Sequence, residues 1–477
     1  MSAFSMYILT DTHYLSSEMW EDGKSIRSRE MGDQIAIRCT PQVLRSFFKK
    51  IIADKDSEYV LITGDLINNG DRQSHLDFIK ELKALTDAGK TVFVTCATHD
   101  YAGLGDDENI FHPVYYKPDG TEPAERVYKT ELPTLYYDFG HKHADSIHEE
   151  SGSYSVLLKD GFRLIAIYDN GNGRSHCGLF EDGFVWLENE LKKAEVSNET
   201  VFLAVHHPVI PPWEIYKDVA DFEMFGGYEK LKALMCKYGV RLIFTGHTHV
   251  QGIKKYTDEN GKHFYDVTTA ALPSASGKMR KAVFNNADMT CSIKSIGIDE
   301  IEGFDTEGLS AHDYIYSLNF SGLLEKSLTM LRTDWDGFVE NVSHVVNADI
   351  LKKHPHISKI VLKSFVKMKM SLPARIAGKK AGLTADEKKL LKNVYASEVA
   401  FNVMGHVFAG NAPYNPDTPE YKAVCGFLER VCGIMRRLGK NPDDMIPGKG
   451  TVLETVKPFM YNTRTGNDDE IIIEMEK

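Results

Sequence analysis

The stretch Leu242-Ile243-Phe244-Thr245-Gly246-His247-Thr248-His249 runs a short segment of strand character into a glycine and two histidines. Four other stretches end the same way. Ser5 to Thr10 leads to Asp11 and His13, Tyr59 to Thr63 to Gly64-Asp65, Thr91 to Thr95 to Thr98-His99-Asp100, and Val201 to Val205 to His206-His207. β-Branched and aromatic runs bounded by turn residues read as strands, and open α/β sheets bind ligands at the carboxyl ends of their strands. Five strand ends offering carboxylate and imidazole predict one shared site.

Between these runs lie amphipathic stretches, Pro41 to Ala53, Gln73 to Ala88 and Gly183 to Lys193. Alternation of strand and helix patterns over residues 4 to about 300 predicts a layered α/β fold. Residues 101 to 153 break the rhythm with Pro, Gly, Tyr and His, and read as an insertion with hairpin-like pieces. After Gly303 the pattern becomes helical. Ser310 with Asp313 and Thr384 with Glu387 have capping-box spacing, and Leu390, Val394, Phe401, Met404 and Phe408 recur on one helical face. Another helix opens at Thr418-Pro419-Glu420 and stops at Gly439. The expected division is an α/β unit over 1–303 and an all-α unit over 304–477.

The chain has 477 residues, 42% hydrophobic and 26% charged, with a formal charge of -12. Those are ordinary values for a folded globular protein. About -14 of the charge falls on residues 1–305 and about +2 on the rest, so general nucleic-acid binding is not expected. Seven cysteines without a Cys-x-x-Cys pair indicate neither a disulfide framework nor a zinc ribbon. No run reaches the roughly 18 apolar residues of a membrane span, and a leader cleavage at the Phe4 to Leu9 run would destroy the site proposed at Asp11. A cytoplasmic protein with no membrane partner is the expectation.

Asp11 and His13 can face one cation where their strand opens into a loop, and Asp65 can offer an oxygen to each of two. Any one of these pairs is common; the ordered set is not. Asp-x-His, Gly-Asp-x4-Gly, a His-Asp element, His-x-Pro and Gly-His-x-His together resemble the calcineurin-like metallophosphoesterase family over about residues 4–300, most closely its bacterial cyclic-nucleotide phosphodiesterase type. That resemblance implies a four-layer α/β/β/α sandwich followed here by a C-terminal all-α domain. It also implies two divalent transition metals, with Asp11, His13 and His249 on one, His206 and His247 on the other, and Asp65 bridging. His99 would stand beside the leaving oxygen as general acid or transition-state stabiliser, in contact with substrate, and His207 is a further candidate for substrate contact. Two cations roughly 3.5–4 Å apart acidify a bridging water and clamp an in-line displacement at phosphorus. Oxygen and imidazole ligands without thiolate suit Mn, Fe, Co, Ni or Zn; the family likeness favours Mn or Fe.

Three departures matter. Purple acid phosphatases place a metal-ligating Tyr where Asn68 stands. Protein Ser/Thr phosphatases carry Asp and Arg where Asn68 and Asn69 stand, so their phosphate clamp is missing. The usual Asn before the catalytic His is Thr98, a shorter neutral donor to the second metal. Arg27, Arg29 and Arg38 lie in a segment that can fold over the site, and His176 or a His of the 141–148 cluster is a candidate phosphate contact. A small phosphodiester or phosphomonoester, first a cyclic nucleotide, is the expected substrate. The alternatives are a DNA repair-type nuclease and a catalytically weak metal-dependent binding module. The helical unit is expected to narrow the cleft or to form a homodimer surface.

Overall fold

Side chains along Thr200–Ala204 alternate between two cores: Phe202 and Ala204 join one apolar cluster, Val201 and Leu203 another. The same split separates Leu164 and Ala166 from Ile165 on Phe162–Ala166. Successive side chains of a strand point to opposite faces, so these strands are covered on both sides and read as continuous apolar runs.

The computed structural model describes residues 3–102, 112–169, 177–212, 216, 223–319, 322, 326, 329–331, 333–343, 359–360, 363, 366–445, 451–461 and 467–476. Its strands are β1 (Ala3–Leu9), β2 (Tyr59–Thr63), β3 (Thr91–Thr95), β4 (Val114–Lys117), β5 (Gly120–Pro123), β6 (Ser146–His148), β7 (Ser153–Leu157), β8 (Phe162–Ala166), β9 (Thr200–Ala204), β10 (Leu242–Thr245), β11 (Gly252–Thr257), β12 (His263–Thr268), β13 (Met279–Asn285), β14 (Thr290–Ile296) and β15 (Glu470–Glu474). One sheet has the order β15-β14-β13-β1-β2-β3 and the other β11-β12-β10-β9-β8-β7-β6. β1, β2 and β3 are parallel, as are β8, β9, β10 and β12. Each sheet therefore gathers its ligand-bearing strand ends at one edge.

The sheets meet through aromatic rings. Phe284 of β13 lies 4.9 Å from Phe4, 5.3 Å from Phe162 and 4.7 Å from Phe202 between ring centroids. Helices Thr40–Ala53 and Arg72–Asp87 pack on the first sheet through Phe47, Phe78 and Leu82. Glu181–Val196 and Tyr228–Tyr238 pack on the second through Leu187, Leu191 and Met235. The four layers are those expected. Arg280, fully buried, ties the sheets together by donating to Gly252 O at 3.2 Å, Thr268 O at 2.7 Å and Asp468 O at 2.9 Å. Burial brings its pKa down to about 10.

Three expectations need correction. Residues 101–153 are not wholly an insertion: β4 and β5 form a hairpin, but β6 and β7 extend the seven-stranded sheet, with Tyr154 fully buried. The face from Leu390 to Phe408 is not one helix. Ala385–Leu390 ends, Leu390 is exposed, and Ala396–Ala409 restarts where the Glu398 carboxylate accepts the Tyr395 N–H at 3.0 Å. The region after 304 is helical over most of its described length, yet β15 returns to the first sheet and pairs with β14, Ile471 opposite Ile293. Burial of Ile473 and Met475 beside that sheet outweighs the exposed Glu470 and Glu474. The two predicted caps form: Asp313 N–H donates to Ser310 Oγ at 3.1 Å and Glu387 N–H to Thr384 Oγ1 at 3.2 Å. Among the described residues no helix is long and apolar enough to cross a membrane, and all seven cysteines are buried.

Candidate metal centre

Each strand end turns sharply as it delivers its side chain. Asp11, His13, Asp65, His247 and His249 have φ of 48°, 40°, 47°, 68° and 56°. Left-handed backbone costs a non-glycine residue about 1–2 kcal/mol, and strain of this kind concentrates where function holds it in place. Five such residues converging on one point mark a site.

The convergence is stitched by backbone bonds between strand ends. Asp11 N–H donates to Gly64 O at 3.1 Å, His13 N–H to Asp65 O at 3.0 Å, and Gly246 N–H to His206 O at 2.8 Å. Gly64 is required where it lies: at φ +83°, a Cβ would stand 2.7 Å from the Cβ of His206. Asp11 Oδ2 accepts from Thr10 Oγ1 at 2.7 Å and from His247 N–H at 3.0 Å. His206 Nδ1 donates to Thr63 O at 2.7 Å, which turns its Nε2 toward Asp65 Oδ2, 2.9 Å away. His99 N–H donates to Asp65 Oδ1 at 3.0 Å.

Three groups of ligand atoms result, each with all its members within 4.8 Å: Asp11, His13 and His249; Asp65, His206 and His247; and His13, Asp65 and His99. The first two are the sets that the resemblance assigns to two metals. Asp11 Oδ1 lies 3.4 Å from His249 Nε2, 3.7 Å from His206 Nε2 and 3.8 Å from His13 Nε2. Among the described residues this buried oxygen has no hydrogen-bond partner, and neither has His13 Nδ1. A carboxylate oxygen buried 3.4–3.8 Å from three imidazole nitrogens and hydrogen-bonded to none fits a cation, since a buried charge needs a compensating partner. The set of carboxylate oxygens and imidazole nitrogens fits a divalent transition metal.

Electrostatics follow from this crowding. Burial pushes the Asp11 and Asp65 carboxyls up, but neighbouring imidazoles, His206 first, hold both below the usual carboxylate range. Burial works against a charged His206 and His249, yet Asp65 and Asp11 raise the first and Asp11 the second. His13 and His99 are lowered, chiefly by burial, and stay neutral.

The third sheet-end turn, Thr98–Asp100, carries His99 at the open side, 15% exposed. Its Nδ1–H donates to Asn68 O at 2.5 Å, which leaves Nε2 on the Asp65 side, 4.0 Å from Oδ2. Thr98 is buried in the same turn. His207 is not on the open side: it is 1% exposed and packs behind His247, with ring centroids 4.0 Å apart. The expected substrate contact by His207 is therefore replaced by a supporting one. Asp169 holds it, accepting from its N–H at 2.5 Å and pairing with its Nδ1 at 2.8 Å.

Sequence reasoning missed several supports. Asp100 accepts from Leu66 N–H at 2.7 Å, Ile67 N–H at 3.1 Å and Ala97 N–H at 2.8 Å, which locks the Asp65 and His99 turns together. Glu223 Oε2 meets His247 Nε2 at 2.6 Å. Of the three arginines, Arg27 pairs with Asp22 at the surface and Arg38 with Glu30. Arg29 instead reaches the site, 3.4 Å from Asn68 Oδ1 and 3.4 Å from Asn69 Oδ1, while paired with Asp33 at 2.7 Å. His176 lies outside the described residues.

Comparison with known proteins agrees with the geometry. The family described as calcineurin-like phosphoesterase matches residues 4–251. A probable glycerophosphodiester phosphodiesterase from Arcobacter nitrofigilis is 27% identical over 194 residues, 40% of this chain and 56% of that protein, so the match spans little more than half of the relative. Among solved structures, a dimetal phosphatase from Danio rerio is similar at 15% identity and TM-score 0.44, covering 62% of this chain and 96% of that one. A purple acid phosphatase from yellow lupin is similar at 13% identity and TM-score 0.43, covering 64% and 53%. With more than half of its length matched by the family and its ligand-bearing turns inside that match, this chain belongs to the calcineurin-like phosphoesterases.

Proposed function

We propose that the protein is a binuclear metal-dependent phosphoesterase that hydrolyses a small phosphodiester, with a cyclic nucleotide as the first candidate. The observation that carries this reading is the pair of ligand groups, Asp11, His13 and His249 beside Asp65, His206 and His247, closed around two buried carboxylates. The name of the curated relative, a phosphodiesterase, supports a diester over a monoester.

When bound, two divalent metals supply Lewis-acid polarisation of the phosphoryl group and acidify water at neutral pH. Mn or Fe is the proposed pair, with Zn, Co or Ni compatible with the same donors. Asp65 is the bridging candidate, and Thr98, buried in the His99 turn, is the neutral candidate for the second metal in the position where the family carries Asn. His99 is the proposed general acid. With Nδ1–H committed to Asn68 O, Nε2 is the atom that delivers a proton to the departing ester oxygen. Burial holds the free ring neutral with Nε2 unprotonated, so Nε2 takes up a proton beside the bound phosphoryl group before it delivers one. Arg29, beside Asn68 and Asn69, brings a guanidinium to the place where the Ser/Thr phosphatase clamp is missing, and there it holds a phosphoryl oxygen.

Metal analysis of protein purified without chelator, followed by assays of bis-p-nitrophenyl phosphate, p-nitrophenyl phosphate and 2′,3′- and 3′,5′-cyclic nucleotides with Mn, Zn and Fe, tests the proposal. At least one tightly bound transition metal per chain and faster turnover of diesters are expected. Metal-free protein that stays inactive after Mn is added refutes it.

A further inference from the structure

Helix Ala396–Ala409 docks directly beside the metal centre: Gln251 N–H, two residues after His249, donates to Phe408 O at 2.7 Å. Between this helix, helix Ala311–Leu318 and the end of the Lys24–Asp33 segment lies a cavity of about 280 Å³ that opens onto His249. Apart from His249, its wall lies beyond the family match or in the Asp33 and Gln34 turn. The helical unit supplies most of that wall and closes it against Asp33, Gln34, His249 and Ser274 of the α/β unit.

The wall has a definite chemistry. Phe401 and Tyr316 present aromatic faces, and the Tyr316 and His312 rings lie parallel within 9°, centroids 6.0 Å apart. At another wall position Asn319 is 4% exposed, and its side-chain oxygen has no hydrogen-bond partner among the described residues. That oxygen is closed off from the cavity, so the cavity offers this wall position as shape and its aromatic rings as chemistry.

Size decides between the two alcohol classes. The volume is about nine times that of a water in the liquid, close to the low end of roughly 300 Å³ for pockets that enclose a whole small molecule. A three-carbon glycerol group leaves most of it unfilled, and it is too small for a polymer. A single nucleoside fills it and stacks on an aromatic wall.

We propose that this cavity is the subsite for the alcohol group of the substrate, and that it takes a flat ring-bearing nucleoside with the phosphoryl group placed at His249 and Arg29. The proposal rests on the phosphoesterase reading for what the bound group is attached to, but the binding it predicts stands alone. Titration of the full-length protein with adenosine, guanosine, cytidine and uridine, without added metal, should give saturable binding of at least one. Phe401→Ala, a change on a half-buried helix face, should weaken it about tenfold. In turnover with Mn, Phe401→Ala should lower the ratio of kcat/KM for a cyclic nucleotide to that for glycerophosphoethanolamine by about tenfold. Absence of saturable binding for all four nucleosides overturns the proposal, as does an unchanged ratio. Loss of hydrolysis for every substrate with nucleoside binding intact refutes the phosphoesterase reading and leaves the cavity assignment standing.

Discussion

Replacing Gly246 with alanine tests whether the Asp11 carboxylate is wedged where the two sheets meet. A Cβ at Gly246 would stand 2.0 Å from Thr10 Oγ1 and 2.5 Å from Asp11 Oδ2. Thr10 Oγ1 has nowhere to go without loss, because its one proton is shared between Asp11 Oδ2 at 2.7 Å and Thr63 O at 3.1 Å. Relief of the overlap requires a retreat of about 1 Å, which also strains the His247 N–H bond to the same carboxylate oxygen. Hydrogen bonds to a charged group contribute about 1.5–3 kcal/mol each, so loss of both donors to Oδ2 removes about 3–6 kcal/mol of support from Asp11. A catalytic group displaced by about 1 Å costs on the order of a hundredfold in rate. Gly246→Ala should therefore show lower metal content by elemental analysis, a kcat/KM for bis-p-nitrophenyl phosphate reduced about a hundredfold or more, and a lower unfolding midpoint. Gly433→Ala, in open space on helix Pro419–Arg437, is the control and should match the parent. Parental metal content and kcat/KM in Gly246→Ala would refute the reasoning.

Arg29→Ala should lower kcat/KM about 10- to 100-fold, the range of one charge-assisted hydrogen bond, while metal content stays at the parental level; unchanged kinetics would remove Arg29 from phosphate contact. Asp71→Asn should stabilise the fold at neutral pH. Burial raises the Asp71 carboxyl to about 6, against a small opposing effect of its cap bond from Ser74 N–H at 2.7 Å. The folded state thus holds the proton more tightly than the unfolded one, so stability falls as pH rises from about 4 to 6 and the cost persists above. The amide keeps the cap and removes a charge worth up to about 3 kcal/mol, a gain that denaturant unfolding should show at pH 7 and lose near pH 4; equal stability at pH 7 contradicts it. Deletion of residues 467–477 should lower solubility and the unfolding midpoint, because it uncovers the β14 edge and takes Asp468 O from Arg280; a truncated protein as stable as the parent would show that β15 is dispensable.

The strand ends were legible because strand propensity and ligand chemistry coincide in one short window. Leu242 to Thr245 is apolar enough to be buried on both faces, and Gly246 followed by two histidines allows a turn that aims side chains at a common point. The helical caps at Ser310 and Thr384 were legible for the same local reason. The supports were not. Asp100 stood out only as part of its own turn, Arg29 only as one of three arginines able to fold over the site, and Glu223 not at all, because each acts across a gap of dozens of residues. Glu470-Ile-Ile-Ile-Glu474 did carry a strand signal, β-branched and short, but it follows a long helical stretch and has nowhere to pair within its own region. The periodic face from Leu390 to Phe408 misled because spacing alone cannot show that Tyr395 caps a second helix.

By itself the sequence determined the layered α/β class, the order of the ligand-bearing turns and the residue types that face a metal, since propensity, periodicity and donor chemistry are properties of neighbouring residues. Only the tertiary structure decided which of those residues share a ligand group, that His207 supports rather than lines the cleft, that Arg29 arrives from a distant helix, and that the helical unit closes a cavity against His249. Those relations depend on how two sheets and a helical unit pack in three dimensions, where separations of a few ångströms connect residues hundreds of positions apart in the chain.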